Sequence, residues 1–163
     1  MDRKNEILAN IQGEPLPEWD SLPDIDLYMD QVLMLVGRYL HGSTGRGEKL
    51  LTASMVNNYV KMKVIPAPVG KRYSRSHMAC LLMICIMKSV IPIASIQLIF
   101  SDLDTDERLK EFYEGFRRTH FDVRERVADN ASAFEGGDKG LIISSVLRAQ
   151  AEQSLALELL NEI

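Results

Sequence analysis

Residues 51–76 read LTASMVNNYVKMKVIPAPVGKRYSRS, and they contain the start and stop signals of two consecutive helices. Thr52 is a good N-cap for a first helix from Ala53 to about Val64, and Pro66 then stops it. Ser74 is a second N-cap and predicts a following helix from roughly Arg75 to Ser89. The segment between them is rich in Pro and Gly, so it predicts a short loop or small hairpin.

The first of these helices is predicted to carry one polar face. At about 100° per residue, four hydrogen-bonding side chains share one stripe: Ser54, Asn57, Asn58 and Lys61. Asn is a poor helix former, so stability alone does not explain two in succession. Its amide can donate to and accept from an adenine edge in the major groove, whereas Lys reaches phosphate or guanine. The stripe is therefore a candidate DNA-reading surface, and an ordinary solvated face is the alternative.

Basic residues are concentrated around this helix, although the whole chain has a net charge of −4. Residues 37–88 contain nine Lys and Arg against the single acid Glu48, so their net charge is +8 and the remainder carries −12. Such segregation is expected of a protein that binds a polyanion. Lys71, Arg72 and Arg75 lie where the chain turns into the second helix, and they are candidate phosphate contacts. A solvated loop that happens to be basic is the alternative.

Upstream of this stretch, the sequence predicts an N-terminal extension and one amphipathic helix. Residues 1–22 indicate a short helix and a proline-broken loop, with Trp19 as an anchor on the body. A helix is predicted to start near Asp24 and to end near Leu40. Its apolar residues follow helical spacing: Ile25, Tyr28, Met29, Val32, Leu33, Val36 and Leu40. HGSTGRGE, residues 41–48, predicts a flexible loop.

Downstream, the second capped helix is apolar nearly all round in MACLLMICIM (78–87), which predicts a central position in the core. Cys80 and Cys85 are therefore expected to be buried free thiols. A short helix follows in IPIASIQLIF (91–100), with Pro92 in its first turn.

The last third of the chain predicts a helical hairpin. DTDE (104–107) resembles a capping box that uses Asp104 as the cap. Apolar residues then step by three, four or seven positions, and they are Leu109, Phe112, Phe116, Val123, Val127, Ala131 and Phe134. EGGDKG (135–140) breaks the chain before a final helix. The stepped residues predict a homodimer through the C-terminal helices, and an intramolecular hairpin is the alternative.

The segments LTASMVNNYVKMKVIPAP, KRYSRSHMACL and IPIASIQLIF together resemble the winged helix-turn-helix domain of MerR-type transcription regulators. Thr52 matches the helix cap, Tyr59 the second of two paired aromatics, and Pro66 the terminating proline. Tyr73 and Ser74 match the start of the helix after the wing. The resemblance implies a mainly all-α fold with a short wing, binding to double-stranded DNA, and a dimer that places two recognition helices in successive major grooves.

Asn57 and Asn58 stand where MerR regulators have Arg and Tyr, and the wing is shorter than theirs. The chain is also similar to a bacterial family, domain-of-unknown-function family 1836, over roughly Leu22 to Phe100. That similarity rests on the segments LPDIDLYMDQVL and NNYVK…YSR. The expected organisation is an N-terminal extension (1–22), a MerR-like helix-turn-helix domain (23–101) and C-terminal helices (102–163). The expected DNA contacts are Ser54, Asn57, Asn58, Lys61, Lys71, Arg72, Tyr73 and Arg75.

Other function classes find little support in the sequence. No G-x-S-x-G, P-loop, H-E-x-x-H or C-x-x-C motif occurs, so no enzyme, cofactor or metal site is expected. His77, in the first turn of a helix, is expected at the surface or on a phosphate. No apolar run is long enough for a membrane span, which favours a cytoplasmic protein. A helical protein–protein interaction module without DNA binding is the alternative function, and the sequence identifies no small-molecule effector.

Overall fold

The computed structural model describes residues 3–41 and 49–163. Within these ranges the regular structure is helical, apart from two isolated antiparallel bridges. The helices are α1 (Arg3–Gln12), α2 (Met29–Tyr39), α3 (Ala53–Lys61), α4 (Arg75–Met87), α5 (Ile93–Ile99), α6 (Asp106–Ser132) and α7 (Gly137–Leu160), with one 3₁₀ turn at Trp19–Ser21. The mainly all-α expectation is confirmed. The loop predicted for HGSTGRGE lies, apart from His41, outside the described residues.

Helix α4 occupies the centre of the core, as its uniformly apolar sequence predicts. Its residues 77–85 are all buried, and α2, α5 and α6 pack around it. Cys80 and Cys85 are free and buried, which confirms the expectation for both thiols. Because a helix that is apolar on every side has to be covered on every side, α4 determines where its neighbours lie.

Helix α2 begins at Met29, so the predicted start near Asp24 is wrong. Leu27 instead pairs with Tyr73: its backbone N–H donates to the Tyr73 carbonyl at 2.9 Å and its carbonyl accepts from the Tyr73 N–H at 2.8 Å. Two backbone bonds to a distant residue hold Leu27 in an extended conformation, which a helix cannot contain. Ile25, expected on the buried face of α2, is 66% exposed.

Helix α3 is capped by Thr52 as predicted, with the hydroxyl accepting from the Met55 N–H at 3.2 Å. It ends at Lys61, before the predicted end near Val64. The Val64 N–H donates to the Tyr59 carbonyl at 2.9 Å, and the Lys63 N–H donates to the Val60 carbonyl at 3.0 Å. This pair of bonds is a Schellman motif, and it requires the left-handed φ of 58° at Lys63. The turn at Lys63, rather than Pro66, therefore stops α3.

The segment between α3 and α4 contains the predicted small hairpin. Val69 and Arg72 form an antiparallel bridge, and the Arg72 N–H donates to the Val69 carbonyl at 3.0 Å. Gly70 and Lys71 between them have φ values of 56° and 61°. Two central residues with positive φ are typical of a type I′ turn. We call residues 69–72 the wing.

The N-terminal segment is fastened to α6. Trp19 is buried, its backbone N–H donates to Glu114 Oε1 at 2.7 Å, and its ring meets the Tyr113 ring edge-on at 6.1 Å between centroids. The Tyr113 hydroxyl donates to the Pro17 carbonyl at 2.8 Å. The prediction that Trp19 is an anchor is confirmed, and α6 is the element that receives it.

Helix α6 is capped by Thr105, whose hydroxyl accepts from the Arg108 N–H at 3.3 Å. The expected cap, Asp104, instead forms an ion pair with Arg108 at 3.3 Å. Asp104 lies one residue too early to cap α6, because the first helical residue is Asp106.

The stepped apolar residues of α6 divide into two groups. Leu109, Phe112 and Phe116 pack into the chain's own core, whereas Val123 and Val127 are 48% and 41% exposed. Residues 127–134 and residues 141–152 line one cleft, which shows that α7 runs back beside the end of α6. No α7 residue is buried, and its large exposed apolar side chains include Ile142, Ile143, Val146, Leu147, Leu155 and Leu159.

Replacement of Trp19 by Ala should lower the free energy of unfolding by about 3–5 kcal/mol, because a buried aromatic ring and its packing on Tyr113 are lost. Urea unfolding followed by circular dichroism measures this change. The matched control is Ile25→Ala, which removes a side chain that is 66% exposed and should change stability by no more than about 0.5 kcal/mol. Equal effects of the two substitutions would contradict the anchor role of Trp19.

Candidate nucleic-acid interface

The polar stripe of α3 faces solvent as predicted. Ser54, Asn57, Asn58 and Lys61 are all exposed, while Val56 and Tyr59 on the opposite side are buried. Asn58 reaches along the helix, and its Nδ2 lies 3.3 Å from the Met62 sulfur. The helix is therefore held by its apolar side and presents two amides, one hydroxyl and one ammonium to solvent.

The wing presents two exposed basic side chains, Lys71 and Arg72. Arg72 is held by Tyr28: its Nη2 donates to the Tyr28 hydroxyl at 2.8 Å, and its Cζ lies 4.8 Å from the centre of the Tyr28 ring. The ring face attracts the guanidinium and limits the directions it can take. Arginine has five N–H donors, so this single bond leaves others for a second group. Sequence reasoning placed Tyr28 on the apolar face of α2 and missed this positioning role.

Tyr73 is not accessible to DNA, so its place among the expected DNA contacts is wrong. Its side chain is 3% exposed, and burial raises the pKa of its hydroxyl. Its ring meets the His77 ring edge-on at 5.4 Å, and its backbone pairs with Leu27. Tyr73 therefore joins the wing to the core and cannot offer its ring to a nucleic acid.

Arg75 is turned toward acidic groups. Its Nη1 lies 3.8 Å from Asp20 Oδ1, its side chain is 25% exposed, and its Nε is buried without a hydrogen-bond partner. The cleft beside it is also lined by Asp24 and Asp26. These carboxylates compete with any phosphate for Arg75. Arg75 therefore has acidic surroundings, unlike Lys71 and Arg72.

His77 connects α4 to the segment that leads into the wing. The expectation that it lies at the surface or on a phosphate is wrong, because it is 6% exposed. Its Nδ1 accepts from the Ser74 N–H at 3.0 Å, which completes a capping box, and its Nε2–H donates to the Pro66 carbonyl at 3.1 Å. The ring is neutral in this arrangement. Burial lowers its pKa, which outweighs the opposite effects of the Pro66 and Ala67 backbone and of Asp26.

The chemistry available at this surface is hydrogen bonding and positive charge. Burial raises the pKa of Cys80 to about 12 and that of Cys85 to about 11, so both thiols stay protonated. Among residues 3–41 and 49–163, no group of three or more His, Cys, Asp or Glu could hold a metal ion. The same residues contain no helix with the length and apolarity needed to cross a membrane. Exposed amide, ammonium and guanidinium groups are suited to nucleic-acid phosphates and base edges.

A family model described as domain of unknown function, DUF1836, matches residues 17–116. The match covers more than half of the chain, and the protein belongs to this family. It begins at the N-terminal anchor and ends within α6, so it is longer at both ends than the expected similarity. No curated protein and no solved structure matches the chain.

Stability should fall as the pH drops below about 6.5. Because the pKa of His77 is lowered in the folded state, the unfolded chain binds more protons between the lowered pKa and 6.5. Neutral His77 therefore makes its full contribution to the free energy of unfolding above pH 6.5. This contribution is lost as the pH falls from 6.5 through the lowered pKa. His120, whose pKa burial and Arg124 also lower, acts in the same direction.

The melting temperature measured at pH 7.5 and 5.0 tests this. His77→Gln can keep the capping box and removes the titrating group, so it should show a smaller loss at pH 5.0 than the unsubstituted protein. An identical loss in both proteins would exclude His77 as the cause.

Proposed function

We propose that this member of the DUF1836 family is a DNA-binding transcriptional regulator, with α3 as the recognition helix and residues 69–72 as a short basic wing. The observation that carries the proposal is the exposed polar stripe of α3, followed in the chain by a basic hairpin, in a segment (57–76) that contains no acid. A duplex presents phosphates on both sides of the groove that a helix enters, and basic side chains close in sequence to a recognition helix can bind them.

Each side chain has a distinct role in the proposal. Asn57 and Asn58 read base edges in the major groove, because an amide can bond an adenine through both its donor and its acceptor. Lys61 reaches phosphate or guanine from the last turn of α3. Lys71 and Arg72 bind the phosphate backbone, and Tyr28 holds Arg72 in place for this contact. Such backbone contacts fix the register of the helix in the groove.

The order of elements supports a MerR-like winged helix-turn-helix. A capped helix ends shortly before an Ile-Pro pair, a hairpin follows, and a second capped helix begins at Ser74. The wing is minimal, since its turn has only Gly70 and Lys71 at the centre. A regulator that acts on chromosomal DNA resides in the cytoplasm of a bacterial cell.

We also propose that the protein is a homodimer through α6 and α7. Helix α7 buries no residue within its own chain, although half of its 24 residues are apolar, and Val123 and Val127 of α6 are also exposed. Apolar side chains of this size are normally covered when they form a continuous surface. A second copy of the hairpin would cover them and would bring two recognition helices to one DNA site.

The apolar surface of α7 also favours a second candidate function, a helical module that docks another protein without binding DNA. The negative charge of the chain outside residues 37–88 is compatible with that function. The two candidates differ in their dependence on salt.

Binding to random duplex DNA should weaken steeply with salt, with about 0.9 units of log–log slope for each phosphate contact. The double variant Lys71→Ala, Arg72→Ala should reduce the slope by about two units per subunit, because two contacts are lost. Fluorescence anisotropy of a labelled duplex measures both. Lys139→Ala removes an exposed charge on α7 and should leave the slope unchanged. No binding by the unsubstituted protein at low salt would reject the DNA proposal in favour of the docking module.

Sedimentation should find a dimer at micromolar concentration. Ile143→Glu combined with Leu147→Glu should produce monomers, because two exposed apolar contacts of α7 would become charged. Met34→Glu, at an exposed apolar position on α2, is the matched control and should remain dimeric. Only monomer in the unsubstituted protein would reject the dimer.

A further inference from the structure

Five residues in the described part of the chain have a left-handed backbone, and they differ in a systematic way. Three are glycines: Gly13, Gly70 and Gly137. The other two are Lys63 and Lys71, with φ of 58° and 61°. Glycine adopts this conformation without steric cost, whereas a residue with a Cβ does not. The two residues that carry this steric cost are both lysines, and both lie in the acid-free segment 57–76.

Lys63 occupies a position where glycine is the usual residue. It is the first residue beyond the C-cap of α3, between the two hydrogen bonds of the Schellman motif. These bonds fix its φ, so the backbone cannot relax to a right-handed conformation without losing them. Lysine at this position consequently strains the end of the recognition helix.

Lys71 shows the same conflict in a different motif. It is the second central residue of the type I′ turn, where Gly is preferred. The two positions are fixed by independent sets of hydrogen bonds, one directly after α3 and one within the wing. The local backbone therefore gives no single reason for lysine at both positions.

No contact within the described residues supplies such a reason. Both side chains are exposed, and neither ammonium group has an ion pair or a hydrogen bond there. Lys63 borders a cavity of about 490 Å³ whose lining includes Asp104 and Asp106, yet it forms no ion pair with either of them. The remaining intramolecular benefit at Lys63 is the favourable interaction of a cation with the C-terminus of α3.

We propose that Lys63 is a further DNA-contacting residue and that Lys63 and Lys71 form a pair of phosphate-binding groups, one directly after α3 and one in the wing. This inference rests on the proposed function, because duplex DNA is the polyanion that they bind. Since hydrogen-bonded motifs fix the backbone at both positions, each Cα–Cβ direction is fixed before DNA arrives. The strain is retained because the charge is needed at these places, and strained backbone positions are known to concentrate at functional sites.

The variants Lys63→Gly and Lys71→Gly test the pair, because each relieves strain and removes a charge in one change. The melting temperature should rise by about 2–4 °C for each substitution. Affinity for a random duplex should fall by about tenfold for each at 0.1 M salt, and the log–log salt slope should decrease by about 0.9 per site. Stability and binding should thus change in opposite directions. Lys63→Arg keeps the charge and should retain the slope.

A fall in melting temperature for Lys63→Gly would show that its charge serves α3 itself, and the inference would be wrong. Unchanged DNA affinity in Lys63→Gly, with strong binding by the unsubstituted protein, would reject this inference and leave the proposed function intact. Absence of DNA binding by the unsubstituted protein would reject both. If Lys63→Gly does not fold, Lys63→Asn gives the same readout, because Asn tolerates the left-handed region.

Discussion

The burial of α4 on every side is the constraint on which the rest of the structure depends. A helix with nine successive buried residues cannot lie at a surface, so α2, α5 and α6 have to surround it. The apolar sides of these helices and of α3 therefore face the core, and their polar sides have to face solvent. The polar stripe of α3 faces solvent for this reason, since Val56 and Tyr59 are committed to the core.

A second set of interactions, all of them hydrogen bonds, fixes the segments around the N-terminus of α4. His77 bonds Ser74 and Pro66, and the Tyr73 backbone pairs with Leu27. The segment before α2, the loop after α3, the residue after the wing and the first turn of α4 therefore meet within one small region. The wing projects from this region and is held by it, although the wing itself contains only a four-residue turn. Rigid placement of a few basic groups requires little regular structure when the connecting backbone is bonded in this way.

The sequence predicts well those features whose cause is local. The caps at Thr52 and Ser74, the central position of α4, the hairpin turn and the anchor at Trp19 each follow from a few neighbouring residues. The start of α2 could not be predicted, because Leu27 is held extended by Tyr73, far along the chain. The end of α3 was missed because lysine stands where glycine would have signalled a turn. In the candidate site, the exposed stripe was predictable, whereas the burial of Tyr73 and His77 and the pairing of Arg75 with Asp20 depend on tertiary contacts.

The attachment of the N-terminal segment to α6 has a consequence for how the chain folds. Trp19 and Pro17 bond residues 95 and 96 positions away, and Arg124 bonds the carbonyl of Asn10 at a separation of 114. Contacts of such long range raise the contact order and slow folding. During synthesis, Trp19 therefore remains without Tyr113 and Glu114 until α6 has left the ribosome. An apolar residue that is made early is thus among the last to be covered, and this interval is when the nascent chain is most exposed to aggregation.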